Sequence, residues 1–229
     1  MRAVITAAAR SPRLLPLTKH TPVSLLQVGD DTILGHQLKA LGEAGIHDAI
    51  VITGFCSDQV EEFCRGRATC VFNPFYDICN VPMNLWLVRQ ELEPGFVLVY
   101  DDILFQPDIV SAVLAGEQST MLVVDRRGVD KEAEKVTLQS GSVSAIGKNV
   151  TEPYGEFMGI AKFSKETVPA LTTELEKAAR TDLETTFPRL INQLVLEGHR
   201  VDVHVTDRQW TDIDFPDDLE EARRLWGST

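Results

Sequence analysis

No aspartate or glutamate occurs in the first 29 residues of this 229-residue chain, although 34 follow and the formal net charge is −12. An even spread would place about four acids there, so the gap marks either a segment that must not repel an anion or a first strand that is simply buried. Other absences narrow the field further. The chain has no apolar leader and no run of about 18 apolar residues, which argues against export and membrane insertion and leads us to expect a cytoplasmic protein. The four cysteines, Cys56, Cys64, Cys70 and Cys79, form no C-x-x-C pair and fit no zinc spacing, so reduced structural thiols are expected. The histidines are scattered, with no Ser-His or Cys-His constellation for a protein nucleophile. An excess of acids also argues against nucleic acid as a partner, because duplex binding draws on Lys and Arg set against phosphates.

What is present begins with Ala3 to Leu26, AVITAAARSPRLLPLTKHTPVSLL. An apolar run passes into the small residues Ala7, Ala8 and Ala9 and then into a loop holding Arg10, Arg13 and Lys19. Buried parallel strands deliver ligands this way: apolar inside, small where a backbone approaches closely, basic where a charge is met. A phosphate is the expected guest. Strand and helix patterns then alternate: Thr32–Gly45 is helical, Ala49–Thr53 extended, Asp58–Arg65 helical and Thr69–Phe72 extended. This order predicts a parallel sheet covered on both faces. With 44% hydrophobic residues the chain can fill one domain spanning residues 1–229.

Two acidic sites stand out downstream. Phe96–Tyr100 reads as a buried strand ending in Asp101-Asp102, and open α/β sheets place their chemistry at such strand ends. Adjacent residues of a strand face opposite ways, so only one of the two is expected to reach a metal. Near the C-terminus, Asp212 and Asp214 lie two apart and share a face if extended, which suits joint metal binding. Asp217 and Asp218 are expected to charge the first turn of a final helix, Leu219–Leu225. Between these sites, Lys135–Leu138, Ser140-Gly141 and Val143–Ile146 read as a hairpin and Phe157–Phe163 as a strand. Helices are expected over Lys165–Lys177 and Leu183–Glu197, followed by a strand at Val201–Val205.

The stretch Ala7 to Thr18, with Pro22 to Val28 behind it, resembles without a gap the signature A-A-G-x-G-x-R-L-x-P-L-T…P-K-x-L-L-x-V. That signature belongs to nucleotidyltransferases that couple nucleoside triphosphates to sugar phosphates, phosphocholine or phosphonates. Ala9 and Ser11 replace its glycines, and Val23 replaces its catalytic lysine. Three further segments resemble this group: Asn73-Pro74-Phe75-Tyr76 with Asn80 and Leu85-Trp86, which is similar to its phosphocholine and phosphonate cytidylyltransferases, and Asp102-Ile103-Leu104-Phe105 and Trp210-Thr211-Asp212-Ile213-Asp214 with Asp217-Asp218-Leu219, which are similar to motifs of the whole family.

The resemblance implies a Rossmann-like, doubly wound, mostly parallel sheet of the nucleotide-diphospho-sugar transferase type. It also implies an inserted acceptor-side sheet at about 130–163. The implied activity is Mg²⁺-dependent transfer of CMP from CTP to a phosphorylated or phosphonate small molecule, releasing pyrophosphate. Implied roles follow. Asp102, Asp212 and Asp214 hold Mg²⁺; Ala7, Ala8, Ala9, Arg10, Arg13, Lys19 and Asn80 bind the nucleotide; Arg13 and Lys148 neutralise charge in catalysis. Asn73, Tyr76, Tyr154 and Glu156 meet the acceptor, with Lys135 beside them. Each has a plainer reading: the asparagines as turn and cap residues, the lysines as solvated surface. The replaced lysine keeps two other functions open, namely different chemistry on a phosphorylated or nucleotide-linked substrate, and binding of a nucleotide or protein without catalysis. A homodimer is compatible with the sequence.

Overall fold

The computed structural model describes residues 1–116, 120–129 and 132–227. The chain runs β1 (Arg2–Ile5), β2 (Gln27–Val28), β3 (Asp31–Thr32), α1 (Ile33–Glu43), β4 (Ala49–Thr53), α2 (Ser57–Cys64), β5 (Thr69–Phe72), α3 (Val81–Leu87), β6 (Phe96–Val99), β7 (Ile103–Phe105), α4 (Pro107–Ala115) and β8 (Thr120–Asp125). It continues through β9 (Lys135–Gln139), β10 (Ser142–Gly147), β11 (Gly155–Phe163), α5 (Val168–Thr181), α6 (Phe187–Leu196), β12 (Val201–Thr206), β13 (Trp210–Asp212) and α7 (Pro216–Trp226). These elements fall into two compact units. Among the described residues no helix is long and apolar enough to cross a membrane.

One unit comprises Arg2–Asp77, Val99–Ser111 and Arg208–Thr229. Its sheet is parallel, in the order β1-β4-β5, with Val4 opposite Ile50 and Val51 opposite Cys70. β1 and β4 are buried almost from end to end, as continuous apolar strands with both faces covered should be. Helix α1 starts where Thr32 Oγ1 accepts the Gly35 N–H at 3.1 Å, a side-chain cap that satisfies one orphan donor. Below it lies an apolar cluster of Leu14, Val23, Leu26, Val28, Ile33, Leu104, Ile213, Leu219 and Ala222, with Trp226 against its edge. β7 and β13 form a short antiparallel pair in which Asp212 stands opposite Ile103.

The other unit comprises Met1, Ile78–Leu98 and Ala112–Asp207. β12 pairs in parallel with β8, β8 antiparallel with β11, and β9 with both β10 and β11. The expected hairpin is present, turning at Ser140-Gly141, where φ is +53° and +81°; the second is a conformation glycine adopts without a Cβ penalty. Residues 130 and 131, at the start of the expected insertion, lie outside the described residues. Phe96 and Phe163 stack at 4.9 Å, and Phe187 meets Phe163 edge-on.

Three helices begin elsewhere than their periodicity predicts. α5 starts at Val168 and runs to Thr181, and α6 starts at Phe187, each with proline in its first turn. Proline lacks an N–H and pre-sets φ, so it belongs at a helix start, and the polar residues before it stay outside. α7 likewise begins at Pro216, three residues before Leu219. Asp101 and Asp102 occupy a turn, not the strand end on which their opposite orientation was argued; Asp101 is nonetheless turned into the protein and Asp102 is partly open.

Candidate functional site

The loop after β1 leads directly to the acidic turn of the same unit. Ala7 and Ala8 are buried, and the Phe55 N–H donates to the Ala8 carbonyl at 2.9 Å. Gly54 permits this approach: a Cβ there would stand 2.5 Å from the Ala8 oxygen and 2.6 Å from Tyr76 Cβ. The loop then forms a single turn at Pro12–Leu14, tied by the Thr18 hydroxyl donating to the Ser11 carbonyl at 2.7 Å. Ser11 and Pro12 in place of a glycine-rich run therefore still give a closed turn.

Both arginines of the loop are held by one acid and by aromatic rings. The Arg10 guanidinium lies 4.2 Å from the Phe55 ring centre and 5.8 Å from that of Tyr76, and its Nε donates to Asp77 at 2.8 Å. Arg13 Nη1 donates to Asp214 Oδ2 at 2.9 Å beside the Phe215 ring. That ion pair joins residues 201 apart and brings the acid-free loop against the carboxylate strand. Lys19 is exposed and makes no ion pair among the described residues.

The carboxylates gather where β7 meets β13. The Ile213 N–H donates to the Asp102 carbonyl at 2.9 Å, so the residues on either side, Asp212 and Asp214, flank the Asp102 turn. Asp218 accepts the N–H groups of Asp214 and Phe215 at 3.1 and 2.7 Å, capping α7. Burial pushes the Asp101 carboxyl up to about 7. Asp212 is pushed up to about 8, first by enclosure and then by repulsion from Asp102, Asp214 and Asp218. The residue is nonetheless exposed at the surface, so the repulsion from its acidic neighbours is the firmer of the two causes. Among the described residues no three His, Cys, Asp or Glu side chains converge into a ready cation cage.

Val23, at the position of the signature lysine, is 2% exposed within the apolar cluster. Asn73 is buried and accepts the Phe75 N–H at 2.8 Å, the turn role its sequence allowed. Asn80 precedes α3 without a side-chain cap bond; its Nδ2 donates to the Glu184 carbonyl. In that same unit Lys148 is exposed and pairs with Glu132 at 3.2 Å, Lys135 donates to the Lys148 carbonyl, Tyr154 lies under Arg126, and Glu156 pairs in register with Asp125 and Lys135. Sequence reasoning missed Phe55, Asp77 and Gln37, while Asp218 takes the helix-start role expected of it. Only Gln37 had a legible signal, a polar residue amid the apolar stripe of α1.

No family profile matches the chain. It is 24% identical over 96% of its length, and 98% of the relative's, to the CTP:phosphoglutamine cytidylyltransferase of Campylobacter jejuni. It is 36% identical to the choline-phosphate cytidylyltransferase of Streptococcus pneumoniae over 46% of the chain and 47% of that relative, about half of each. The chain is nucleotidyltransferase-like. Its fold superposes on the solved CTP:phosphocholine cytidylyltransferase from Streptococcus pneumoniae with a TM-score of 0.83 at 21% identity, covering 98% of both chains. The likeness is one of fold, and the α/β class expected from the alternating pattern holds.

Proposed function

We propose that the chain transfers CMP from CTP to a small phosphorylated or phosphonate acceptor and releases pyrophosphate. The observation that carries this reading is the Arg13–Asp214 pair, which sets a loop without acids beside a group of carboxylates. A triphosphate chelated by a divalent cation needs both. The names of the relatives, which use CTP with phosphoglutamine or choline phosphate, support the choice of nucleotide and acceptor class.

The donor set fits Mg²⁺. It is all oxygen, and repulsion among Asp102, Asp212, Asp214 and Asp218 favours a cation. Mg²⁺ is commonly held by one or two carboxylates and by substrate phosphates, so such a site needs no three-residue cage. Asp102 and Asp214 would hold it. When bound, Mg²⁺ would offset charge on the triphosphate. The acceptor is already ionised at neutral pH, so no side chain need remove a proton. An acceptor oxygen attacks the α-phosphorus, the bond to the β-phosphate oxygen breaks, and both electrons leave with pyrophosphate. Arg13 exchanges Asp214 for phosphate oxygens, and Arg10, braced by Phe55 and Tyr76, offers a second guanidinium.

The burial of Val23 favours a second reading, nucleotide binding without catalysis, because a preorganised cation at such a centre is worth about 3 kcal/mol. Calorimetric titration with CTP, UTP, GTP and ATP in Mg²⁺, followed by pyrophosphate release with phosphoglutamine, phosphocholine, aminoethylphosphonate and sugar phosphates, separates the two. CTP binding with release is expected. Binding without release supports the second reading, and failure to bind any nucleotide overturns both.

A further inference from the structure

Helix α1 buries an apolar stripe at Ile33, Leu34, Ala40 and Leu41, and at its centre stands Gln37, 1% exposed. A buried amide is costly unless its hydrogen bonds are made, and leucine or methionine would pack there at no such cost. The polar group therefore needs a partner that repays it. Gln37 Nε2 donates to two carbonyls, Tyr100 O at 2.7 Å and Ile103 O at 2.8 Å. Those carbonyls stand immediately on either side of Asp101-Asp102. Both partners are acceptors only, so the nitrogen and not the oxygen must face them. The Gln37 oxygen is buried with no hydrogen-bond partner among the described residues, so the amide accepts a local penalty to keep its nitrogen there.

The consequence concerns spacing. The Asp102 carbonyl holds the Ile213 N–H, and through it the segment carrying Asp212 and Asp214. The Asp101-Asp102 turn is thus braced from below by one amide and carries the second acidic segment above it. We propose that Gln37 is a positioning residue: it fixes the Asp102 turn and thereby the separation of Asp102 from Asp214. The proposal rests on the reading of those two carboxylates as the cation-holding pair. Gln37 touches no substrate and acts through the turn alone.

The test compares wild type with Gln37→Met, which keeps size and burial and removes both donors. Gln37→Leu serves if the methionine variant does not fold, since it too is apolar, close in size and offers the two carbonyls no donor. Native-state hydrogen exchange is read at the Ile213 amide and, for reference, at Val51 in β4. We expect Ile213 to exchange at least about tenfold faster while Val51 changes by less than about twofold. In pyrophosphate release, kcat is expected to fall about tenfold or more with KM for CTP little changed. Adding Gln37→Met to Asp102→Asn should then cost no further activity, because both act through one group.

Equal acceleration of both amides, an unchanged Ile213, or an unchanged kcat would overturn the role. The exchange measurement does not require turnover. Selective loosening in a protein that binds no nucleotide would sustain the clamp and defeat the functional reading. Uniform exchange in an active enzyme would do the reverse.

Discussion

Arg13 is an exposed side chain in an exposed ion pair, and such pairs contribute about 0–1 kcal/mol to stability. Its position beside the carboxylate strand gives it a different weight in binding. Arg13→Ala should leave the melting temperature nearly unchanged while lowering pyrophosphate release by about a hundredfold, the usual loss when one preorganised charge donor is removed. A variant that melts early but turns over normally would contradict this. Glu134 presents the opposite case. Burial pushes its carboxyl up to about 7, with Lys148 pulling it partly back, and one of its oxygens is buried unpaired. The folded state therefore keeps a proton that the unfolded chain releases near 4.5, so stability falls as pH rises from about 4.5 to 7 and is flat above. The loss is bounded by about 3 kcal/mol. Glu134→Gln, neutral at every pH, should flatten that slope in denaturant melts at pH 5 and pH 8; an unchanged slope would assign it to other groups.

At the scale of elements, strands and hairpin were the most legible parts, because continuous apolar runs and the Ser140-Gly141 turn leave few alternatives. Helix starts were not, because Pro169, Pro188 and Pro216 set them and apolar periodicity does not mark the first turn. The role of Gln37 was hidden for a related reason: a polar residue in an apolar stripe is itself a signal but does not reveal which distant carbonyls it meets. The element that departs most from the signature is the turn at Val23–Leu25. By sequence, Val23 is a lost cation. In the fold it is a filled position in the cluster of Leu14, Ile33, Leu104 and Ile213. Val23→Lys must therefore bring an ammonium into apolar surroundings, and about 2–4 kcal/mol of stability should be lost. That is a fall of roughly 4–16 °C in melting temperature for a chain of this size. No gain in pyrophosphate release is expected. A stable, more active variant would mean that the lysine stem lies along the cluster and its ammonium reaches the loop.

For the whole molecule, the sequence shows charge as a total and a gap, and the fold explains how the two coexist. The gap was legible because acids are counted, not located. What could not be counted is that Arg10 and Arg13 are each neutralised by an acid from far along the chain, Asp77 and Asp214. Seen from a distance the loop keeps only the single charge of Lys19, on a protein whose net charge is −12. Under the proposed function, a Mg²⁺-chelated nucleotide, itself an anion, would approach against a repulsive field and meet the guanidiniums only on contact. Raising ionic strength from about 0.01 to 0.15 M shortens the screening length from about 30 to 8 Å, which screens the distant carboxylates more than the contact pairs. The association rate constant for Mg²⁺-CTP, measured by stopped flow, should thus rise by about two- to fivefold over that range, while dissociation also quickens as the contact charges weaken. A rate constant that instead falls steeply with salt would mean that the loop arginines are released from Asp77 and Asp214 before the nucleotide arrives.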